Sequence, residues 1–85
     1  MPVERDIVLE KVRSHLAEEL GVDAGGITDD THFRDDLEAD SLDLYELVME
    51  LEDTYGVAIP EQDAVDILTV GQAVDYVHTR LPAGG

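Results

Sequence analysis

Apolar residues recur at intervals of three and four in three separate parts of this chain, which is the spacing of residues on one face of an α-helix. The first series consists of Val8, Val12, Leu16 and Leu20. It is followed by Gly21, the residue type that most easily ends a helix in a left-handed conformation. We therefore predict a first helix from about Val3 to Leu20. Alternating apolar and polar residues and hairpin dipeptides are weakly represented, so strands are not predicted.

Two further series predict a second and a last longer helix. The second helix is expected to begin at Asp40-Ser41 and to end near Tyr55-Gly56, and its apolar face is made of Leu44, Leu47, Val48, Leu51 and Tyr55. The last helix is expected to be capped by Thr69, and its face is made of Val70, Ala73, Val74, Val77 and Leu81. Pro60, near the first position of a helical turn, predicts a short helix between them.

A long connection separates the first two helices, from about residue 22 to residue 39. Gly25-Gly26 is typical of a loop, and Ile27, Phe33 and Leu37 are expected to anchor the loop to the core. The fold class predicted for these 85 residues is all-α. It is a small four-helix bundle of three longer helices and one short one, with a long loop after the first. We expect a single domain, residues 1–85, with a core of about 3–81 and a flexible tail at 82–85.

The net charge of −16 limits the possible partners. Nucleic acids and anionic membranes attract basic proteins, so neither is expected here, whereas proteins with basic patches would be steered towards this chain. The N-terminus has no long apolar run, so no signal peptide or membrane span is predicted. The absence of cysteine is compatible with a reducing cytoplasm, where we expect the protein to act as a monomer.

The second helix has a second apolar series, Leu42, Tyr45 and Met49, which we call the outer stripe. A surface helix usually needs only one apolar face. Acidic residues surround the outer stripe: Asp40, Asp43, Glu46, Glu50, Glu52 and Asp53. An apolar strip framed by acids is suited to docking a basic partner. A solvated acidic face, or burial of Tyr45 and Met49 in the core, remains an equally good interpretation at this point.

Ser41 is expected at the start of the second helix, with an exposed hydroxyl. A phosphodiester at this position would meet free backbone N–H groups and the positive end of the helix dipole. Helix physics alone favours a simpler role, in which Ser41 is an ordinary N-cap.

The segment Asp36–Asp43 resembles the phosphopantetheine attachment motif of acyl carrier proteins, usually Asp-Leu-Gly-Ala-Asp-Ser-Leu-Asp. The similarity continues through residues 46–49, 51–52, 59–60, 69–70 and 73–76. The resemblance implies a covalent 4′-phosphopantetheine on Ser41, and it implies that Asp40 helps the phosphopantetheinyl transferase to recognise the site. The arm would supply the thiol that this chain lacks, and acyl groups would be carried on it as thioesters.

The resemblance also implies a docking surface for partner enzymes. Its residues would be Leu42, Asp43, Tyr45, Glu46, Met49, Glu52 and Asp53. The partners would be synthase, reductase, dehydratase and acyltransferase enzymes of type II fatty-acid synthesis, each with a basic docking patch. A carrier for a polyketide or other secondary-metabolite pathway is the alternative within the family. A non-carrier acidic interaction domain and a calcium sensor are alternatives from other classes.

Three residues depart from the family pattern. Glu38 replaces the usual glycine, which makes a left-handed backbone less expected there. Leu44 and Tyr45 replace smaller residues, and Tyr45 would narrow the range of acyl chains or partners. No nucleophile–base pair is present, so catalysis by the chain is not expected. No metal site is expected either, because the three histidines lie far apart and residues 29–36 do not fit a calcium loop.

Overall fold

The structure is a computed structural model that describes residues 4–81. Its helices are α1 (Arg5–Leu20), α2 (Ser41–Tyr55), α3 (Glu61–Ala64) and α4 (Val70–Arg80), with one 3₁₀ turn at Ala24–Gly26. Three longer helices and one short helix confirm the predicted fold class. Within residues 4–81 there is no strand, only an isolated bridge between His32 and Thr69. The tail predicted at 82–85 and the predicted start at Val3 lie outside the described residues.

Glycines end the first two helices as predicted. Gly21 follows α1 with φ of 70°, and its N–H donates to the carbonyl of Ala17. Gly56 follows α2 with φ of 65° and donates to the carbonyl of Glu52. Both glycines adopt the left-handed conformation that a side chain would disfavour. No helix in the described part of the chain is both long enough and apolar enough to cross a membrane.

Reciprocal hydrogen bonds start α2 and α4. The Asp40 carboxylate accepts from the N–H of Asp43, and the Asp43 carboxylate accepts from the N–H of Asp40. Thr69 and Gln72 make the equivalent pair at α4, which confirms the predicted cap. Ser41 is the first residue of α2, so the interpretation of Ser41 as an N-cap is wrong: the longer carboxylate of Asp40 already holds the free N–H. Pro60 is the N-cap of α3, next to its first residue Glu61, as the sequence predicts.

The core is formed by α1 packing against α4 and α2, with residues of the long loop between them. Ile27 and Phe33 are each 1% exposed, which confirms them as loop anchors, and Leu37 is half-buried against the core. The remaining buried apolar residues are Val8, Val12, Leu16, Ala39, Leu47, Leu51, Ile59, Val70, Ala73, Val74 and Val77. Backbone hydrogen bonds also attach the loop to the start of α4, from Phe33 to Leu68 and from Val70 to Thr31.

The backbone at Glu38 contradicts the expectation from its sequence. Its φ is 56°, so Glu38 adopts the left-handed conformation. The N–H of Glu38 donates to the carbonyl of Arg34, and the N–H of Ala39 donates to the carbonyl of Phe33. These bonds close a helical turn, and the left-handed residue lets the chain reverse so that Ala39 is buried at 4% exposure. The hydrogen bonds and the burial outweigh the steric cost of the side chain.

Candidate functional site

Ser41 occupies the first position of α2 and is exposed. Because Asp40 caps the helix, the Ser41 hydroxyl is not needed to satisfy a backbone N–H. Its Oγ instead accepts a hydrogen bond from the guanidinium of Arg34, with 3.1 Å between Nη2 and Oγ. The hydroxyl is therefore both accessible and placed beside a positive charge.

The N-terminus of α2 is suited to a negatively charged group. Within residues 4–81, the N–H groups of Ser41 and Leu42 have no hydrogen-bond acceptor, whereas that of Asp43 is taken by Asp40. The positive end of the helix dipole adds to these donors. An exposed hydroxyl, two free N–H groups and a guanidinium together form a donor set that fits a phosphate ester.

An apolar crevice of about 450 Å³ opens beside Ser41. Ser41 and Arg34 lie at its mouth, and Glu52 and Glu61 also contribute to its lining. The apolar lining is contributed by Phe33, Leu44, Tyr45, Leu47, Val48, Met49, Leu51, Ile59, Ala64, Val65, Ile67 and Ala73. A linear apolar chain attached near Ser41 would therefore find a hydrophobic environment between α2 and the α3 region.

The outer stripe of α2 faces solvent. Leu42 is 64% exposed, Tyr45 61% and Met49 45%, so these residues are not part of the core. Val65, which follows α3, is 69% exposed and lines the crevice together with Tyr45 and Met49. The apolar surface is therefore wider than the sequence pattern of α2 predicts, because the residue after α3 adds to it.

The acidic residues around the outer stripe differ in how exposed their side chains are and in whether their carboxylates accept hydrogen bonds from the backbone. Asp53 is exposed, and Asp43 and Glu46 are half-buried. The Glu52 carboxylate accepts a hydrogen bond of 2.8 Å from the N–H of Ile59, which ties the segment after α2 back to that helix. Asp53 is therefore free to meet a partner, whereas Glu52 also has an internal structural role.

Three carboxylates meet where the end of α1 approaches the first turns of α2. Oxygen atoms of Glu19, Asp43 and Glu46 lie within 4.8 Å of one another. A hydrogen bond to Glu46, together with partial desolvation and the charge of Glu46 and Asp43, raises the pKa of Glu19 to about 7. The negative charges of its neighbours at this distance disfavour ionisation of Glu19. The sequence patterns did not indicate Glu19, because its neighbours in space are more than twenty residues away along the chain.

Arg34 is another residue of the site that the sequence patterns did not single out. It lies seven residues before Ser41 in an acidic stretch of the loop, and its guanidinium reaches Ser41 only because the loop folds back. Its isolation is the one available signal, since no other Lys or Arg occurs between Arg13 and Arg80.

Comparison with known proteins identifies several similar chains. A family model described as a phosphopantetheine attachment site matches residues 10–77. An acyl carrier protein of Rubrobacter xylanophilus is 51% identical over 75 residues, which cover 88% of this chain and 93% of that protein. A solved structure described as the acyl carrier protein from Enterococcus faecalis, with high thermal stability, is 41% identical and has a TM-score of 0.80. That match covers 92% of this chain and 99% of the other.

Proposed function

This chain belongs to the acyl carrier protein family with a phosphopantetheine attachment site, and we propose that Ser41 is the residue that bears the arm. The main support for this proposal is the exposed Ser41 hydroxyl. Asp40 caps the helix in its place, so the hydroxyl is not needed for capping, and it lies at the mouth of an apolar crevice. The attachment motif around it, Asp36–Asp43, supports the same residue. The protein is a carrier and not an enzyme.

Attachment requires one bond to form at Ser41 and one to break in coenzyme A. The Ser41 oxygen forms a covalent bond to the phosphorus that carries pantetheine, and the diphosphate P–O bond of coenzyme A breaks, so that adenosine 3′,5′-bisphosphate leaves. The hydroxyl proton passes to a base of the transferase. The bound arm supplies the thiol for thioester formation, since this chain has no cysteine. Because that thiol must stay reduced, we propose that the protein works in the cytoplasm. We also propose that it acts as a monomer.

The crevice beside Ser41 is proposed to shelter the acyl chain. Its lining is mostly apolar and includes Ser41, the residue proposed to bear the arm. Transfer of an acyl chain from water into this space gains roughly 0.8 kcal/mol for each methylene that becomes buried. Such shielding also protects the thioester from partners that do not open the crevice.

The surface around the outer stripe is proposed as the docking site for the enzymes that load and modify the acyl chain. Asp40, Asp43, Glu46 and Asp53 would orient basic patches at long range, while the outer stripe supplies contact area. A phosphopantetheinyl transferase would recognise Asp40. Synthase, reductase, dehydratase and acyltransferase enzymes would use the rest of the surface.

Type II fatty-acid synthesis is the pathway we propose, on the basis of the motif and of the close similarity to acyl carrier proteins. A polyketide or other secondary-metabolite carrier is the second candidate, because Leu44 and Tyr45 both line the crevice and depart from the usual residues. Loading by cell extracts distinguishes the two. Malonyl and long saturated chains support the first, and an unusual starter unit supports the second.

The decisive experiment measures intact mass after incubation with coenzyme A and a broad-specificity phosphopantetheinyl transferase. We expect the wild-type chain and Ser14→Ala to gain one phosphopantetheine each, and Ser41→Ala to gain none. Ser14 is the other serine of the chain and is exposed on α1, so it is a matched control. A folded, unmodified wild type that gains no mass would instead support an acidic interaction domain without an arm.

A further inference from the structure

Arg34 differs from the other basic residues in the partner of its side chain. The chain has five Lys and Arg residues. The other four, Arg5, Lys11, Arg13 and Arg80, each lie within ion-pair distance of a carboxylate. Among residues 4–81, Arg34 forms no such pair and donates to the Ser41 hydroxyl instead. In so acidic a chain, a guanidinium without a carboxylate partner keeps its charge available for another anion.

The backbone around Arg34 holds it in a defined place. Phe33, the preceding residue, is 1% exposed and its N–H donates to the carbonyl of Leu68. The carbonyl of Arg34 accepts from the N–H of Glu38 in the turn that leads into α2. The side chain therefore extends from an anchored turn, so that less entropy is lost when it holds a ligand.

A phosphodiester on Ser41 would place a negative charge among acids. Glu38, Asp40 and Asp43 lie within three residues of Ser41 along the chain. The positive charge in contact with Ser41 is the guanidinium of Arg34, which donates a hydrogen bond to its hydroxyl. Esterification removes the hydroxyl proton, while the two non-bridging oxygens of the phosphate become the better acceptors. A planar guanidinium can donate to both at once.

We propose that Arg34 is the counterion of the phosphodiester that joins the arm to Ser41, and that it holds this phosphate at the mouth of the crevice. The proposal rests on Ser41 as the attachment residue. Arg34 is a positioning residue: it takes no part in bond formation, but it keeps the first segment of the arm beside the crevice. Its charge also offsets the repulsion that nearby carboxylates exert on the phosphates of incoming coenzyme A.

The test compares wild type, Arg34→Gln, Arg34→Lys and Arg80→Gln, each converted to the arm-bearing form. Arg80→Gln changes the net charge by the same amount at another exposed arginine, on α4. The primary readout is the ³¹P NMR chemical shift of the phosphodiester at low and at high NaCl. The second is kcat/KM for loading by the transferase at low salt. Circular dichroism shows that each variant is folded.

We expect Arg34→Gln to move the ³¹P resonance towards that of free phosphopantetheine, whereas Arg34→Lys moves it less and Arg80→Gln leaves it in place. In the wild type, high NaCl should shift the resonance in the same direction as Arg34→Gln, because salt screens an exposed ion pair. Loading of Arg34→Gln should be slower by roughly two- to fivefold at low salt, the range of a single exposed ion pair.

An unchanged resonance in Arg34→Gln and no response of the wild type to salt would overturn the proposal. Equal slowing in Arg34→Gln and Arg80→Gln, without a change in the resonance, would also overturn it, since only net charge would then matter. If the wild type loads on Ser41 and these results are seen, the counterion role alone fails. If Ser41→Ala still gains the arm, the proposed attachment residue fails, and the counterion role with it.

Discussion

Glu38 holds the backbone in a left-handed conformation three residues before Ser41, with φ of 56°. A β-carbon in this region is crowded by the adjacent carbonyl, and such residues cost of order 1–3 kcal/mol. The conformation persists because the turn from Phe33 to Ala39 is closed by backbone hydrogen bonds and by the burial of Ala39. The position therefore stores strain at the entrance to the functional helix.

Replacing Glu38 with glycine should raise the free energy of unfolding by about 1 kcal/mol, because relief of strain exceeds the added flexibility of the unfolded chain. Urea denaturation of the two proteins measures the difference. Glu38→Ala is the matched control, because it removes the charge but keeps the β-carbon. Equal stabilisation by alanine and glycine would show that charge, and not backbone conformation, is responsible.

Asp40 caps helix α2 and is also the residue that we propose the transferase recognises. The carboxylate accepts from the Asp43 N–H at 2.9 Å, and the same charge lies beside the proposed attachment residue. Since Asn caps a helix about as well as Asp, the two roles can be separated by substitution.

We expect Asp40→Asn to keep the stability of the wild type and to load several-fold more slowly with the transferase. Asp40→Ala should in addition lose about 1 kcal/mol of stability, because the cap is removed. Thermal denaturation and the rate of mass gain are measured on both variants. Unimpaired loading of Asp40→Asn would mean that the negative charge is not recognised.

The start of α4 packs directly on the loop, at Gly71. The Gly71 N–H donates to the carbonyl of Asp29 at 2.8 Å, and a β-carbon on Gly71 would lie 2.9 Å from that oxygen. Only a residue without a side chain allows this approach. The contact joins α4 to the loop that carries Phe33 and Arg34.

Gly71→Ala should therefore lower the free energy of unfolding by about 1–2 kcal/mol, since overpacking outweighs the better helix propensity of alanine. Chemical denaturation gives the value. Gly26→Ala serves as the control, because a β-carbon there meets no atom within 4 Å. A Gly71→Ala protein as stable as the control would show that the backbone at Asp29 shifts away from the new β-carbon without lowering the free energy of unfolding.

At the scale of the whole molecule, negative charge opposes compaction. A net charge of −16 is held in a chain with a radius of gyration of 11.9 Å. The carboxylates of Glu19, Asp43 and Glu46 are one example: they lie close together where the end of α1 meets the first turns of α2, so these helices pack against electrostatic repulsion.

The raised pKa of Glu19 predicts how stability depends on pH. The folded chain holds this proton up to about pH 7, whereas the unfolded chain releases it near pH 4.5. The folded state thus binds more protons between these values, so stability is greatest below pH 4.5 as far as Glu19 is concerned and falls as pH rises through 7. Melting temperatures of wild type and Glu19→Gln between pH 5 and pH 8 should show a flatter profile for the variant. Parallel profiles would contradict the assignment to Glu19.

Added salt should raise the melting temperature of the wild type, because screening weakens the repulsion among exposed carboxylates. The screening length falls from about 30 Å at 0.01 M salt to about 10 Å at 0.1 M, so most of the gain is expected in this interval. A salt titration at constant pH measures it. A constant melting temperature would show that self-repulsion does not limit stability.

Features that depend on neighbours along the chain could be predicted from the amino-acid sequence alone. Apolar spacing predicted the three longer helices, and Gly21 and Gly56 marked where two of them end. The second apolar series of α2 indicated a candidate docking face but left burial of Tyr45 and Met49 open, and the structure shows both residues exposed. The attachment motif Asp36–Asp43 indicated the family from residues that are adjacent along the chain.

Contacts between distant parts of the chain depend on the fold and could not be predicted from the sequence. In the fold, the Arg34 guanidinium donates a hydrogen bond to the Ser41 hydroxyl, and the Ile59 N–H donates one to the Glu52 carboxylate. The carboxylates of Glu19 and Asp43 also lie close together. The fold also overrode the local preference of Glu38, because hydrogen bonds and burial throughout a turn outweigh the conformational cost of one residue. Local spacing determines which helices form, whereas the partners of individual charges depend on how those helices and the loop pack.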